Sequence, residues 1–190
     1  MQSAFCAPGG PAEVPTSSGI VEPINGLTAQ LRALSVPVIW VLHANSRIGD
    51  RSDWELFFNT IVADEVRKST LENLAGKQTV WTGLTTAPAD FTLLKNRYSA
   101  LITGSSQLER TLRGMGIDTI LIAGTKTNVC CESTARDAMM LDFKVVMVSD
   151  CCAALSDDEH RAALENMIQQ FGDVMTGDEV LERLRRRTNR

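Results

Sequence analysis

The sequence predicts a single α/β domain in which helices cover both faces of a mostly parallel sheet, a three-layer α-β-α arrangement. Short apolar runs alternate with helical patterns along the chain, and the runs lack the polar alternation of a half-exposed strand. A length of 190 residues suits one domain, since single cores hold roughly 100–200 residues. We therefore expect residues 1–190 to form one domain, with residues 1–19 as an irregular N-terminal segment rich in Pro, Gly and Ser.

Four apolar runs are predicted to be strands, each bounded by Gly, Asp or Ser. They span residues 36–42, 91–94, 119–123 and 143–148. A helix is predicted before the first run, because Pro23 suits a first helical turn and apolar residues then recur at helical spacing. These residues are Ile24, Leu27, Leu31 and Leu34.

Three segments match the capping box, in which a hydroxyl and a later carboxylate bond to the free amides of a helix start. They are Ser106–Glu109, Ser156–Glu159 and Thr176–Glu179. Behind the second box, one apolar stripe predicts a helix that lies flat on the sheet, with His160 packed in the interior. The stripe consists of His160, Leu164, Met167, Ile168 and Phe171.

Composition excludes several classes of protein. A hydrophobic content of 44%, a charged content of 22% and a net charge of -4 are typical of a soluble globular protein, with no nucleic-acid or membrane partner. The five cysteines do not form a disulfide framework, so we expect a cytoplasmic protein. Neither the C-x-x-C spacing nor enough histidines for a zinc site are present, and we predict no metal and no cofactor.

Polar residues follow three of the predicted strands, where ligands bind in open α/β sheets. His43 and Asn45 follow the first strand, Lys95 and Tyr98 the second, and residues 124–130 the third. Because the carboxyl ends of parallel strands meet at one edge, we expect a nucleophile, a cation and hydrogen-bonding groups to converge there.

Cys130 is the candidate nucleophile, because it falls where a helix is predicted to begin. Backbone amides at such a position stabilise a thiolate, and a neighbouring lysine adds to the effect. The alternative is that Cys130 is a small apolar residue in a buried turn, as we expect for Cys131 in the core. Lys95 could assist the thiol, whereas lysines at strand ends are usually solvated, and His43 could instead form a Cys-His pair. The sequence leaves these alternatives open.

Residues 95–100 and 123–138 resemble the two signature stretches of isochorismatase-like cysteine hydrolases, and the resemblance extends over roughly residues 24–184. It implies a six-stranded parallel sheet of Rossmann-like order and an Asp-Lys-Cys triad, in which Cys130 attacks a carbonyl and Lys95 assists. The ureidoacrylate amidohydrolase and carbamoyl-hydrolase branches look most similar. The resemblance therefore implies hydrolysis of a C–N bond in a small acyclic amide or ureido substrate.

The resemblance also assigns further site residues. It implies a cis peptide bond between Thr125 and Lys126, which turns the Lys126 amide toward the oxyanion, and a substrate pocket lined by His43, Asn45 and Tyr98. Family members often form homodimers or homotetramers, so we expect a homo-oligomer. The nicotinamidases of this superfamily bind a metal through Asp and two His, and only His43 is nearby here.

One departure from the family pattern concerns the aspartate. In the family it ends the first, central strand, directly before a stretch that resembles residues 1–6, so the strand and the general base are both absent here. We expect the natural protein to carry about ten to thirty further residues before Met1. The alternative is a complete chain in which another segment fills the gap and hydrolysis is weak or lost. Such a chain could be a non-catalytic binding or oligomeric protein, and vinyl-ether hydrolysis is a third possibility.

Overall fold

Parallel strands form the centre of the fold in a computed structural model that describes residues 1–49, 51–63, 65 and 79–188. The strands are β1 Ile39–His43, β2 Arg47–Ile48, β3 Arg51–Ser52, β4 Phe91–Lys95, β5 Thr119–Thr125, β6 Lys144–Ala153 and β7 Asp173–Met175. Strand β1 pairs with β4 in parallel, with His43 opposite Lys95. A second parallel sheet has the order β5-β6-β7, and β2 and β3 form a small antiparallel hairpin.

Helices follow or precede each parallel strand. They are α1 Ser3–Cys6, α2 Val21–Ala33, α3 Leu108–Gly114, α4 Glu132–Met140, α5 Asp157–Asn166 and α6 Gly177–Thr188, with a 3-10 helix at Pro15–Ile20 and π-helical turns at Phe57–Ile61, Thr127–Cys131 and Met167–Phe171. Within the described ranges, none of the helices combines the length and the apolar character that crossing a membrane requires.

Two apolar clusters separate the layers and confirm the predicted α/β class. One contains buried residues of α2 and α6, such as Leu27 and Val180, packed against Val148 of β6. The other contains residues of α3 and α4, such as Leu112 and Ala138, packed against Met147 of the same strand. Because neighbouring residues of β6 point to opposite faces, the sheet has helices on both sides.

Several local predictions need correction. The N-terminal segment is not uniformly irregular, since α1 and the 3-10 helix lie within it. Ile168 is 59% exposed and does not belong to the buried stripe, and it lies in the π-helical turn that follows α5. The capping box predicted at Ser106–Glu109 is wrong. Helix α3 begins at Leu108, and Ser106 Oγ accepts a hydrogen bond from the Leu108 amide, not from the Glu109 amide. The capping box at Thr176 is confirmed in both directions, since the Thr176 hydroxyl accepts from the Glu179 amide and the Glu179 carboxylate accepts from the Thr176 amide. At Ser156 the hydroxyl accepts from the Glu159 amide as predicted, but the Glu159 carboxylate accepts from the Leu155 amide instead of the Ser156 amide.

A cavity of about 320 Å³ separates the two parallel sheets. In the described ranges, β1 pairs only with β4 and β5 only with β6, so one edge of each strand faces the cavity. Apolar side chains of α2 and α3 close it above and below, among them Leu31 and Leu108. The single six-stranded sheet that the resemblance implies is therefore divided in the described part of the chain.

The Asp90 carboxylate, just before β4, links α2 to the sheet through hydrogen bonds. It accepts two hydrogen bonds from the Arg32 guanidinium, at 2.9 and 2.7 Å, and one at 2.8 Å from Trp40 Nε1. The Ala87 amide donates a fourth, at 2.9 Å. The bonds from Arg32, and then that from Trp40, lower the pKa of Asp90 to about 2. Because its four donors come from α2, β1 and the loop before β4, this carboxylate stabilises the contact between these three segments.

We expect Asp90→Asn to lower the free energy of unfolding by about 1–3 kcal/mol at pH 7, because it leaves buried donors without a charged acceptor. Since the folded-state pKa lies below the unfolded value of about 3.9, the stabilisation is complete above that value and is lost as the pH falls toward 2. Urea unfolding at pH 7 and at lower pH measures it. The exposed Glu165→Gln is the control, with a change within about 0.5 kcal/mol, and a pH-independent loss in Asp90→Asn would contradict the assignment.

Candidate active site

The carboxyl ends of β1, β4 and β5 meet at one end of the cavity, as the sequence predicts for a parallel sheet. His43, Lys95 and Thr125 end these three strands, and all three line the cavity together with Cys130. Asn45, Tyr98 and Lys126 lie beside these residues but outside the cavity wall. The structure thus brings the candidate nucleophile and the candidate cation into one space.

Cys130 lies in the π-helical turn that leads into α4. The Lys126 carbonyl accepts hydrogen bonds from the amides of Val129 and Cys131, both at 3.2 Å, and closes the turn. The peptide bond between Thr125 and Lys126 is cis. Cys130 is partly exposed, whereas Cys131 is 5% exposed. Both residues line the cavity, but Cys130 is the more exposed of the two, and Cys131 is packed in the core as expected.

A hydroxyl connects the nucleophile turn to the loop after β4. Thr134 Oγ1 donates to the Cys130 carbonyl at 2.7 Å and accepts from the Ala100 amide at 3.1 Å. Ala100 follows the segment that carries Lys95 and Tyr98, so one side chain of α4 fixes the spacing between the two halves of the site. Thr134 itself is 9% exposed and lines the cavity.

Lys95 is buried, not solvated, with an exposed fraction of 6%. Its ammonium donates to the carbonyls of Arg97 at 2.8 Å and Tyr98 at 2.6 Å. Among the described residues it forms no ion pair with a carboxylate. Two carbonyl dipoles compensate a buried charge only in part, so this ammonium favours an anion in the cavity.

His43 belongs to a hydrogen-bonded chain that sequence reasoning did not predict. Asn45 Nδ2 donates to Asp53 Oδ1 at 2.7 Å and to the Asn96 carbonyl at 3.1 Å, so its Oδ1 faces His43 Nε2, 2.5 Å away. His43 Nε2 therefore carries the hydrogen of the neutral ring. Burial, and then the charge of Lys95, lower the pKa of His43 to about 4. The ring is neutral at pH 7, and Asn45 links it by hydrogen bonds to Asp53.

An aromatic cluster lies next to His43. The rings of Trp54 and Tyr98 are 4.7 Å apart and those of Trp54 and Phe57 are 5.0 Å apart, while the Arg97 guanidinium lies 5.2 Å from the Trp54 ring. Burial raises the pKa of Tyr98. Sequence reasoning missed Trp54 and Phe57, because residues 46–63 show no strand or helix period, although the aromatic residues themselves were a signal.

Three buried side-chain oxygens near the site have no hydrogen-bond partner within the described residues. They are Asn96 Oδ1, Thr125 Oγ1 and Asn128 Oδ1. Thr125 ends β5 and lines the cavity, whereas Asn96 directly follows β4 and Asn128 lies in the nucleophile turn, both outside the cavity wall. In the described part of the chain, no group of three or more His, Cys, Asp or Glu side chains is arranged to hold a metal ion.

Residues 1–179 match the family model for the isochorismatase domain. The chain is 31% identical over 173 residues to the isochorismatase family protein YecD of Escherichia coli O157:H7, covering 89% of this chain and 85% of YecD. It is 40% identical over 94 residues to the ureidoacrylate amidohydrolase RutB of Caulobacter vibrioides, covering 49% of this chain and 41% of RutB.

Several curated relatives are matched over half of their length or less. The crystal structure of a cysteine hydrolase from Pseudomonas syringae pv. phaseolicola 1448A superimposes with a TM-score of 0.84 at 30% identity, over 97% of this chain and 89% of that one. The fold, the match to the family model and the similarity to YecD agree, and the chain belongs to the isochorismatase family of hydrolases.

Proposed function

We propose that this protein is a cysteine hydrolase that opens a C–N bond in a small acyclic amide or ureido compound, with Cys130 as nucleophile. The observation that carries the proposal is that the partly exposed Cys130 and the buried Lys95 line the same cavity. A cation with incomplete compensation stabilises a thiolate, and the thiolate is the attacking form of cysteine.

The reaction follows from these two groups. The Cys130 sulfur forms a bond to the substrate carbonyl carbon, and the carbonyl electron pair moves onto oxygen. When the tetrahedral intermediate collapses, the C–N bond breaks and the leaving nitrogen takes a proton from the Lys95 ammonium, which lines the same cavity. A water molecule then attacks the thioester, releases the acid and restores the Cys130 thiolate, and a proton from that water returns to Lys95. The amides of Lys126 and Cys130 are proposed to bind the oxyanion.

The substrate class is supported by the polar groups at the site. A ureido or primary amide group has several N–H donors, and the unpartnered Thr125 Oγ1, on a residue that lines the cavity, is an acceptor. The neutral His43, with Asn45 and Tyr98, is proposed to bind the rest of the substrate. RutB, with which half of this chain aligns, is a ureidoacrylate amidohydrolase. The proposed homodimer or homotetramer stays a prediction.

We expect Cys130→Ala to lower kcat for amide hydrolysis by about 10³-fold or more, because removal of a nucleophile abolishes covalent catalysis. Ammonia release from a panel of small primary amides and ureido acids measures the activity. The melting temperature should stay within a few degrees, since Cys130 is partly exposed.

The matched control is Cys151→Ala, which removes a buried sulfur outside the cavity wall and should retain activity per folded molecule. If Cys130→Ala turns over the same amides at the rate of the unaltered protein, the proposed mechanism is wrong.

We also propose that the cavity between the two sheets accepts one further parallel strand. Both facing edges carry backbone groups that pair with no strand in the described ranges. The Gln2 side chain already mimics a strand there: its Nε2 donates to the His43 carbonyl at 3.1 Å, and its Oε1 accepts from the His43 amide at 2.7 Å. An amide group bonded to both backbone groups of one strand residue is the pairing that a neighbouring strand would make.

A variant with five apolar-strand residues added before Met1, ending in Asp, should hydrolyse amides about 10²-fold faster than the unextended chain. Met1 lines the cavity with Lys95 and Cys130, so a carboxylate placed directly before it can pair with the ammonium and accept the thiol proton, an effect of general-base size. Ammonia release under saturating substrate measures the gain.

The control for this variant is the same extension ending in Asn, which has the same shape without the charge. It should gain stability but little activity. Equal rates for the Asp and Asn extensions would contradict the catalytic part of the proposal, and an unchanged melting temperature in both would contradict the strand site.

A further inference from the structure

We infer that His160 is a positioning residue for the nucleophile turn, acting through the hydroxyl of Thr127. Thr127 Oγ1 and His160 Nδ1 are hydrogen-bonded at 2.9 Å. Thr127 is fully buried, with an exposed fraction of 0%, and it is the first residue of the turn that contains Cys130. The inference rests on the proposed role of Cys130 and names the residue that holds the sulfur in place.

The turn is fixed at two other points by its own neighbours. The Lys126 carbonyl closes it from within, and the Thr134 hydroxyl holds the Cys130 carbonyl from α4. The first contact is local in the chain, and the second reaches beyond the turn only through the Ala100 amide in the loop after β4, to which Thr134 Oγ1 is also bonded. The bond to His160 is the contact that reaches a separate helix, 33 residues further along the chain.

His160 lies at a position with little conformational freedom. It lies in the first turn of α5, whose start is fixed by the cap in which Ser156 Oγ accepts from the Glu159 amide. The His160 amide donates to the Ser156 carbonyl at 3.1 Å, and the side chain is half-buried. A residue on a capped helix start has little freedom, so its ring defines the position of the Thr127 hydroxyl.

The consequence for catalysis is geometric. A nucleophile displaced by about 1 Å can lose about 10²-fold in rate, and the turn carries the sulfur together with the Lys126 and Cys130 amides proposed for the oxyanion. Loss of the bond should therefore reduce the reactivity of Cys130 far more than it reduces stability. Sequence reasoning assigned His160 to the interior and could not find this contact.

The test is the rate at which iodoacetamide alkylates Cys130, followed by peptide mass spectrometry, in matched pairs of variants. Thr127→Val and His160→Leu remove the bond and should each slow amide hydrolysis by about 10-fold or more, as expected for a displaced nucleophile. Alkylation should also slow by about 10-fold or more, because a displaced sulfur lies further from the Lys95 ammonium that stabilises its thiolate. Thr127→Ser and His160→Asn keep a hydroxyl and a side-chain hydrogen-bonding group, and should stay within about three-fold of the unaltered protein. The double variant should be no slower than the slower single variant, because both lose one shared bond.

Glu165→Gln, on the exposed face of α5, controls for general effects on that helix and should leave both rates unchanged. Should Thr127→Val fail to fold, the half-buried His160→Leu and its rescue by His160→Asn still decide the outcome. The inference would be overturned if folded His160→Leu is alkylated at the normal rate. It would also be overturned if His160→Asn is alkylated as slowly as His160→Leu. If alkylation responds as expected but no protein hydrolyses any amide, the proposed function fails while the positioning role stands.

Discussion

The buried ammonium of Lys95 is the constraint on which the site depends. The chain places a full positive charge at the end of β4 with 6% exposure and provides two carbonyl oxygens for it. Removing a charge from water costs several kcal/mol unless an opposite charge compensates it. In the described part of the chain no carboxylate does so. A cavity that contains this cation therefore favours a thiolate, a developing oxyanion or an added carboxylate, and the same charge helps to keep the neighbouring His43 neutral.

The second requirement is that the sulfur keeps its place relative to that charge. Lys95 is carried by the sheet of β1 and β4, whereas Cys130 follows β5 of the other sheet. The Thr134 hydroxyl, bonded to both the Cys130 carbonyl and the Ala100 amide, bridges the two halves across the cavity. In the described part of the chain no strand pairs across the cavity, so this hydroxyl is a direct connection between the segments that carry Lys95 and Cys130.

The sequence predicts the site residues that directly follow an apolar strand. Cys130, Lys95 and His43 were all predicted from their position after a strand, since parallel strands bring their carboxyl ends to one edge whatever the loops do. Residues whose role depends on packing between distant segments were not predicted. Trp54 and Phe57 lie in a segment whose sequence has neither strand nor helix periodicity. The contact of His160 with Thr127 forms only when α5 packs on the nucleophile turn. The gap between the two parallel sheets in the described part of the chain could be expected only from the resemblance, because the local sequence pattern does not indicate which strands become neighbours.

The central claim, that the Lys95 charge activates the Cys130 sulfur, is tested most directly by the pH dependence of iodoacetamide alkylation at Cys130. Lys95→Met keeps the length of the side chain and removes its charge. The account predicts that Cys130 reacts ahead of the four buried cysteines and that the rate profile moves to higher pH by about one unit or more in Lys95→Met, the size expected for loss of a nearby opposite charge. Superimposable profiles for the two proteins, or preferential reaction at another cysteine, would contradict it.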